Sequence, residues 1–313
     1  MSSILQVEPV MSIQMVQAIR FVCGGAARSL DSARKAEVLI DLVRSHGPND
    51  VRIFWARRDG AISAAAMVVA NPGRAGMIFY SPPAAVGVDR SALSATIRLA
   101  SLEGIKASLS FVQALLESPS DDDVLILRDS GFQLLAELIY MSLDLQAHKE
   151  QLHMPPQENE YLWKTMLEVS QQQLAELLSR TYEKSLDCPA LSGLRQMDDV
   201  IASHKSCGRF NPQYWWVPCL QGKPAGCILV NDYPQLDSAD VVYLGVVPEF
   251  RGRSLARIML RRAGRFAWQR GLASLTLAVD AANVYALKAY EAEGFVQKGR
   301  RVAYAMLGED HRP

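Results

Sequence analysis

Residues 241–256, VVYLGVVPEFRGRSLA, admit few folds. The run 241–247 is rich in β-branched and aromatic residues and apolar on both faces, which predicts a buried central strand. Pro248 ends it, because proline cannot donate to a sheet ladder. Arg251, Gly252, Arg253 and Ser254 then form a tight basic turn. From Leu255 the period becomes helical, with Leu255, Ile258, Met259, Phe266 and Ala267 on one face and Arg257, Arg261, Arg265 and Arg270 mostly off it. A strand, a small-residue turn and a helix N-terminus make a seat for a phosphate. The first helical N–H groups lack partners within the helix, and the helix dipole favours an anion there. Glycine lets the backbone come close, and the arginines add charge.

The segment resembles motif A of the GNAT family, the acetyl-CoA-dependent N-acetyltransferases. That motif reads Val-x-Pro-x-x-Arg/Gln-Gly-x-Gly-x-Gly/Ala. The chain supplies Val246, Pro248, Arg251, Gly252 and Ala256. It departs at Ser254, where the family has glycine. Residues 275–295, LTLAVDAANVYALKAYEAEGF, are similar to the family's motif B: a strand ending near Asn283, then a helix with Ala286 and Tyr290, closed by Gly294 and Phe295.

The chain has 313 residues, enough for about two domains. Its hydrophobic content is 49% and its formal net charge is zero, so sizeable cores are expected and nothing global points to nucleic acid. The five cysteines are odd in number and hold no CxxC pair, which argues against a disulfide framework and fits a reducing cytoplasm. His204 and Cys207 alone do not make a metal site, and none is expected. No basic region followed by an apolar run opens the chain, and no apolar stretch is long enough to span a membrane.

Periodicity predicts helices over 11–22 and 32–44, a hairpin of 51–57 and 62–69 across Asp59 and Gly60, and a strand over 76–80. A helix over 91–102, a strand over 109–115, a helix over 121–130 and a long strand over 132–145 follow. The polar segment 147–160, with Pro155 and Pro156, is the candidate linker. The second half repeats the order: a strand over 162–169, helices over 172–184 and 196–204, a hairpin of 214–220 and 225–231, the 241 strand, the arginine-rich helix, a strand over 275–279, a helix over 284–293 and a strand over 302–306. The halves match element for element. This resembles a tandem GNAT arrangement like that of mycothiol synthase.

The resemblance implies an α/β fold of two acyl-CoA N-acyltransferase-like domains, each a mixed, mainly antiparallel sheet flanked by helices. The expected division is a degenerate domain at 1–148, a linker at 149–160 and a catalytic domain at 161–313. The first half is called degenerate because no Arg-Gly turn follows Tyr80, and Leu127 stands where Tyr290 stands in the second.

Transfer of an acetyl group from a thioester to an amine needs the two held together, a donor for the oxyanion, a neutral amine and a proton for the leaving thiolate. By resemblance, acetyl-CoA is the acyl donor co-substrate. Its pantetheine arm inserts beside the 241 strand, bound by the backbone of Val246 and Val247. The amides of Arg251, Gly252, Arg253, Ser254, Leu255 and Ala256 take the pyrophosphate. Asn283 lies beside the arm, though it also fits the N-cap of the following helix. Tyr290 faces the sulfur as general acid, though a helix tyrosine can equally be packing. Glu249, Asp240, Glu183, Asp187 and His204 are candidates for the general base. Tyr182, Asp187 and Cys188 border the expected acceptor site. Lys298, Arg300 and Arg301 are candidates for a cofactor phosphate or a charged hairpin edge. The implied protein is a cytoplasmic N-acetyltransferase, monomer or homodimer, that acetylates a small primary amine or a peptide amino terminus without nucleic acid or membrane. The competing class is a non-catalytic acyl-CoA sensor or interaction module. Ser254 favours it, and Tyr290 opposes it.

Overall fold

The computed structural model describes residues 5–27, 29–47, 49–152, 156–191 and 195–308. In chain order the elements are β1 (Gln6–Pro9), α1 (Met15–Gly24), α2 (Leu30–Ser45), β2 (Val51–Arg58), β3 (Ala61–Asn71), β4 (Ala75–Tyr80), α3 (Arg90–Lys106), β5 (Phe111–Leu116), α4 (Asp121–Asp129) and β6 (Gln133–Asp144). Then come β7 (Leu162–Thr165), α5 (Gln171–Tyr182), α6 (Met197–Ser206), β8 (Trp215–Leu220), the short β9 (Lys223–Pro224), β10 (Gly226–Tyr233), β11 (Ser238–Val246), α7 (Leu255–Gln269), β12 (Ser274–Asp280), α8 (Val284–Ala292) and β13 (Val296–Leu307). The duplicated order read from the sequence is present, and β1, which periodicity misses, completes it. Among the described residues no helix is long and apolar enough to cross a membrane.

Local chemistry explains most of the boundaries. Asp59 and Gly60 both take positive φ, as do Gln221 and Gly222, so each pair makes the tight turn that matches strand twist. Ser120 and Asp123 cap α4 reciprocally, and Ser170 and Gln173 do the same for α5. β7 is shorter than the expected run over 162–169, because Glu168 reaches back to the Thr165 N–H and turns the chain.

The chain forms two compact units, and they do not divide at the expected linker. One comprises Met1–Leu135 with Val302–Pro313, and the other Ala136–Arg301. In the first, the sheet order is β1-β2-β3-β4-β5, closed by the end of β13, where Val302 to Leu307 pair antiparallel with β5. β4 and β5 are its parallel pair. Alternate residues of β2 and β3 face opposite layers. Phe54, Ala66 and Val68 pack with Leu93 and Ile97 of α3, while Trp55, Met67 and Val69 pack with Ile19 and Ile40 of α1 and α2.

The second unit has the same plan. Its order is β7-β8-β10-β11-β12, with β11 and β12 parallel, and the outermost strand is the β6 segment that pairs antiparallel with β12 from Asp280 to Ser274. Each unit therefore takes its last strand from the other half of the sequence. Ile228 and Val230 face Ile258 and Met259 of α7, and Cys227 and Leu229 face Leu174 and Leu178 of α5. The segment expected as a linker is part of this unit. Leu152 is buried in its core, and the Glu158 carboxylate pairs with Arg262.

Candidate active site

The second unit opens where β11 and β12 part. Their ladder ends at Val241 and Leu277, yet β11 runs on to Val246 and β12 to Asp280. On the other edge of β11 the register with β10 slips between Leu229 and Val230, so Val242 is an extra residue in a bulge. The bulge bends β11 away from β12. The cavity left between them is about 760 Å³, lined by Val242 to Val246, Ala278 and Val279 along the strands.

Strand alternation fixes which backbone groups face the opening. The Val247 N–H donates to the Ala225 carbonyl at 3.1 Å, so Val247 and Gly245 point to the β10 side. Leu244 and Val246 point the other way. Val247 is fully buried and lies outside the cavity lining, so it does not share the role expected for Val246.

The turn after β11 also departs from expectation. The Arg251 guanidinium is consumed by main-chain carbonyls. Nε donates to Val246 at 3.0 Å, Nη2 to Thr181 at 3.1 Å and Glu183 at 2.7 Å, and Nη1 to Lys184 at 3.4 Å. It thus caps the C-terminus of α5 and holds it against the end of β11. The Arg251 N–H is taken by the Pro248 carbonyl at 3.2 Å. Arg251 thus braces the site, with four of its five guanidinium N–H groups directed at main-chain carbonyls. Arg253 lies outside the lining, with its guanidinium over the Phe250 ring at 5.6 Å.

The helix N-terminus itself is open. Gly252 and Ser254 are both left-handed, at φ 75° and 59°. Ser254 occupies the N-cap but makes no side-chain capping bond, and the first helical bond runs from the Ile258 N–H to its carbonyl. The N–H groups of Leu255, Ala256 and Arg257 therefore have no acceptor inside the helix. Gly252, Ser254, Leu255 and Ala256 all line the cavity, so the strand opening and the helix N-terminus meet in one space.

Motif B forms the far wall. Asn283 caps α8, its Oδ1 accepting from the Ala286 N–H at 3.2 Å, and it also lines the cavity. Tyr290 is 8% exposed, with its ring against Phe295 at 5.9 Å. It lines the cavity, and among the described residues no protein hydrogen bond reaches its hydroxyl. Burial, with the nearby Asp187 charge adding to it, pushes its hydroxyl pKa well up, so the group stays protonated at neutral pH. Behind it, Glu293 takes Arg257 at 2.6 Å and Arg261 at 2.7 Å, tying α7 to the end of α8.

Of the five base candidates, the structure brings Asp187 to the cavity. It follows α5, in the loop with Lys184, Ser185 and Leu186, which also line the space. Burial raises the Asp187 carboxyl above its usual range, against the pull of the Asp280 N–H that it accepts at 3.3 Å, and the Asp280 charge raises it further. Asp280 in turn accepts the Cys188 N–H at 3.0 Å and the Ala282 N–H at 2.9 Å, fixing the loop to the end of β12. Glu249 is exposed and paired with Arg180 at 2.8 Å. Asp240 is bonded to Thr276 at 2.6 Å, away from the lining. His204 is buried against Tyr243, and burial pushes its pKa down to about 4. Glu183 offers its carbonyl to Arg251. Tyr182 and Cys188 lie outside the lining.

Tyr243 and Asp280 went unread in the sequence. The Tyr243 hydroxyl meets Thr181 Oγ1 at 2.7 Å, and the residue lines the cavity. An aspartate that ends a strand just before a helix cap was a usable signal. A tyrosine inside an apolar run was not.

Comparison with known proteins agrees with this geometry. Residues 172–295 match the model of the acetyltransferase (GNAT) family. N-acetylaspartate synthetase of Mus musculus is 29% identical over 94 residues, 30% of this chain and 31% of that protein, and the enzyme of Danio rerio is 27% identical over 99 residues, 32% of this chain and 35% of that one. The chain thus spans about a third of the length of these relatives. Among solved structures, a GCN5-related N-acetyltransferase from Sphaerobacter thermophilus superposes with a TM-score of 0.58 at 16% identity, covering 99% of this chain and 96% of that one. A tandem GNAT protein from the clavulanic acid biosynthesis pathway gives a TM-score of 0.52 at 14% identity over 99% of both chains. Residues 172–295 thus match the GNAT family model, and the chain has the fold of tandem GNAT structures.

Proposed function

We propose that the second unit is an N-acetyltransferase that moves an acetyl group from acetyl-CoA to a primary amine by direct attack. The observation that carries this is the single cavity joining an uncapped helix N-terminus, a parted pair of parallel strands, the Tyr290 hydroxyl and the Asp187 carboxyl. The donor's pyrophosphate takes the N–H groups at the start of α7. Its pantetheine arm lies in the opening beside Val246, and Asn283 borders it.

The amine enters protonated, and Asp187 takes its proton. A raised carboxyl pKa suits this, because it narrows the gap to the ammonium. The neutral nitrogen attacks the thioester carbon. A C–N bond forms, and the Leu244 and Val246 N–H groups, which face the opening, donate to the oxyanion. Collapse breaks the C–S bond and the thiolate takes the Tyr290 proton; the second proton, shed by the new amide nitrogen, restores the Tyr290 hydroxyl, and Asp187 gives up the first to water.

The test is thiol release from acetyl-CoA with a panel of amines. Tyr290→Phe should lower kcat by about 10–100-fold, at or below the low end of general acid catalysis because a thiolate is already a fair leaving group. CoA affinity should hold. Binding without release by the intact chain would favour the sensor reading instead. The left-handed Ser254, where the family has glycine, is the observation on its side.

A further inference from the structure

We infer that Tyr243 is a further residue of the acceptor site, its hydroxyl accepting an N–H of the amine and holding the nitrogen while Asp187 removes a proton; this rests on the acetyltransferase reading above. Hydrogen-bond polarity carries it. The Tyr243 hydroxyl lies 2.7 Å from Thr181 Oγ1. Thr181 has one hydroxyl proton, and it goes to the Leu178 carbonyl at 2.8 Å. Tyr243 is therefore the donor of the pair, and its own proton is spent on Thr181. Only its lone pairs are left. Among the described residues no other hydrogen bond reaches that oxygen. A half-buried acceptor of this kind takes its donor from what enters the cavity.

Packing fixes where the oxygen stands. The Tyr243 ring lies against Tyr182 at 5.4 Å and the buried His204 at 5.5 Å, centroid to centroid. Gly245 makes room for the hydroxyl: a Cβ there would stand 2.7 Å from the Tyr243 oxygen and 2.8 Å from Thr181 Oγ1. Thr181, Tyr243 and Gly245 all line the cavity. The oxygen thus sits against the backbone between Leu244 and Val246, whose N–H groups face the opening. Asp187 lines the same space, and its charge acts on the Tyr243 hydroxyl, which burial above all keeps protonated at neutral pH. Lys184 lines the cavity too, but it is exposed and its ammonium bonds to neither Tyr243 nor Asp187. Two acceptors are therefore open to one ammonium. Asp187 takes a proton from the nitrogen, and the lone pair uncovered points back at the carboxylate. It has to turn to the thioester carbon, and a second N–H on Tyr243 holds the nitrogen through that turn. An alcohol that has given its one proton to Asp187 has none left for Tyr243, so the pair favours nitrogen over oxygen.

The test follows thiol release from acetyl-CoA by the full chain with n-butylamine, spermidine and L-aspartate, acceptors with neutral, basic and acidic bodies. Tyr243→Phe keeps the ring and should lower kcat/KM for the amine about 10–100-fold, the range of one hydrogen bond to a charged group. CoA affinity in calorimetry and the melting temperature should hold. Thr181→Val removes the group that absorbs the Tyr243 proton and leaves that proton to meet the ammonium, at a cost of about tenfold. Because Thr181 acts through Tyr243, the double variant should be no slower than Tyr243→Phe alone. A Tyr243→Phe or Thr181→Val enzyme within about twofold of the parent, or losses that add in the double variant, would overturn this inference and leave the acetyltransferase reading intact. So would a Tyr243→Phe protein that loses CoA affinity or its melting temperature, since the hydroxyl would then be holding the fold. CoA binding by the parent with no thiol release from any of the three acceptors would overturn both.

Discussion

The two halves build the same opening and finish it differently. In the first unit the β4–β5 ladder also stops early, at Met77 and Gln113, while β4 continues to Tyr80. There the space is filled. The Tyr80 hydroxyl donates to Asp123 at 3.1 Å, and its ring packs with Leu127 and Tyr304 in the core. The helix after the strand is closed as well. Asp89 caps α3, its Oδ1 accepting the Ala92 N–H at 2.9 Å, and its other oxygen pairs with Arg58 at 2.8 Å. Those bonds hold its carboxyl below the usual range, so at neutral pH an anion is already covalently present at that helix N-terminus. At α7 the same position is a left-handed serine with no capping bond. One fold thus yields a helix end that needs a ligand and another that has supplied its own.

The largest expected effect comes from cutting the chain where its composition suggests. A fragment of residues 161–313 lacks the strand that pairs with β12. It loses Ile139, Met141, Leu143, Leu145 and Leu152 from the second unit's core. Each is worth roughly 1.5–3 kcal/mol, against about 5–15 kcal/mol for a whole domain. The fragment should fail to give a cooperative melt, whereas one starting at residue 133 should be markedly better folded. A stable, CoA-binding 161–313 fragment would break the claim that the second unit needs a strand from the first half of the sequence.

Next is Asp187→Asn, expected to lower kcat/KM about 10²–10⁴-fold. In the parent enzyme kcat/KM should rise with pH. The raised carboxyl keeps the inactive, protonated form to higher pH than the ordinary aspartate value of about 3.9. The substitution should remove that limb. In contrast, Tyr80→Phe in the first unit should leave kcat within about twofold, since it alters no group that lines the cavity. A large drop would place chemistry in the half here read as non-catalytic.

Calorimetry should count one CoA per chain. Two would mean that Asp89 does not close α3. The smallest effects are on stability, and they should differ in sign. Asp89→Ala removes a cap and should cost about 1 kcal/mol. Ser254→Gly relieves a left-handed serine and should gain up to about 1 kcal/mol, while CoA affinity stays within about tenfold. Chemical denaturation of the full chain reads both. A destabilised Ser254→Gly would show that the hydroxyl holds the turn.

Much was legible because it is local. Proline stops, glycine turns and the switch from period two to period 3.6 are set within a few residues. They gave the element order, the duplication and the basic turn. β13 was read as starting at 302, because residues 296–301, VQKGRR, are polar and carry no strand signal of their own. Residues 149–160 looked like a linker for the same reason, and only the burial of Leu152 in the second core corrects this.

The site divides along the same line. The sequence alone determined that a strand, a tight basic turn with a glycine and an amphipathic helix follow one another at 241–270, and that an asparagine cap and a tyrosine come after them. Tertiary structure decided what those residues do. The Arg251 side chain became a brace, because the carbonyls of Thr181, Glu183 and Lys184 come within reach only once α5 docks on β11. Asp187 was separated from the other carboxylates by an Asp280 N–H some ninety residues away. The exchange of last strands rests on pairing between residues 138–144 and 274–280. A backbone ladder can be completed by any strand of suitable pattern, so its partner is chosen by the folded whole and leaves no mark in either segment.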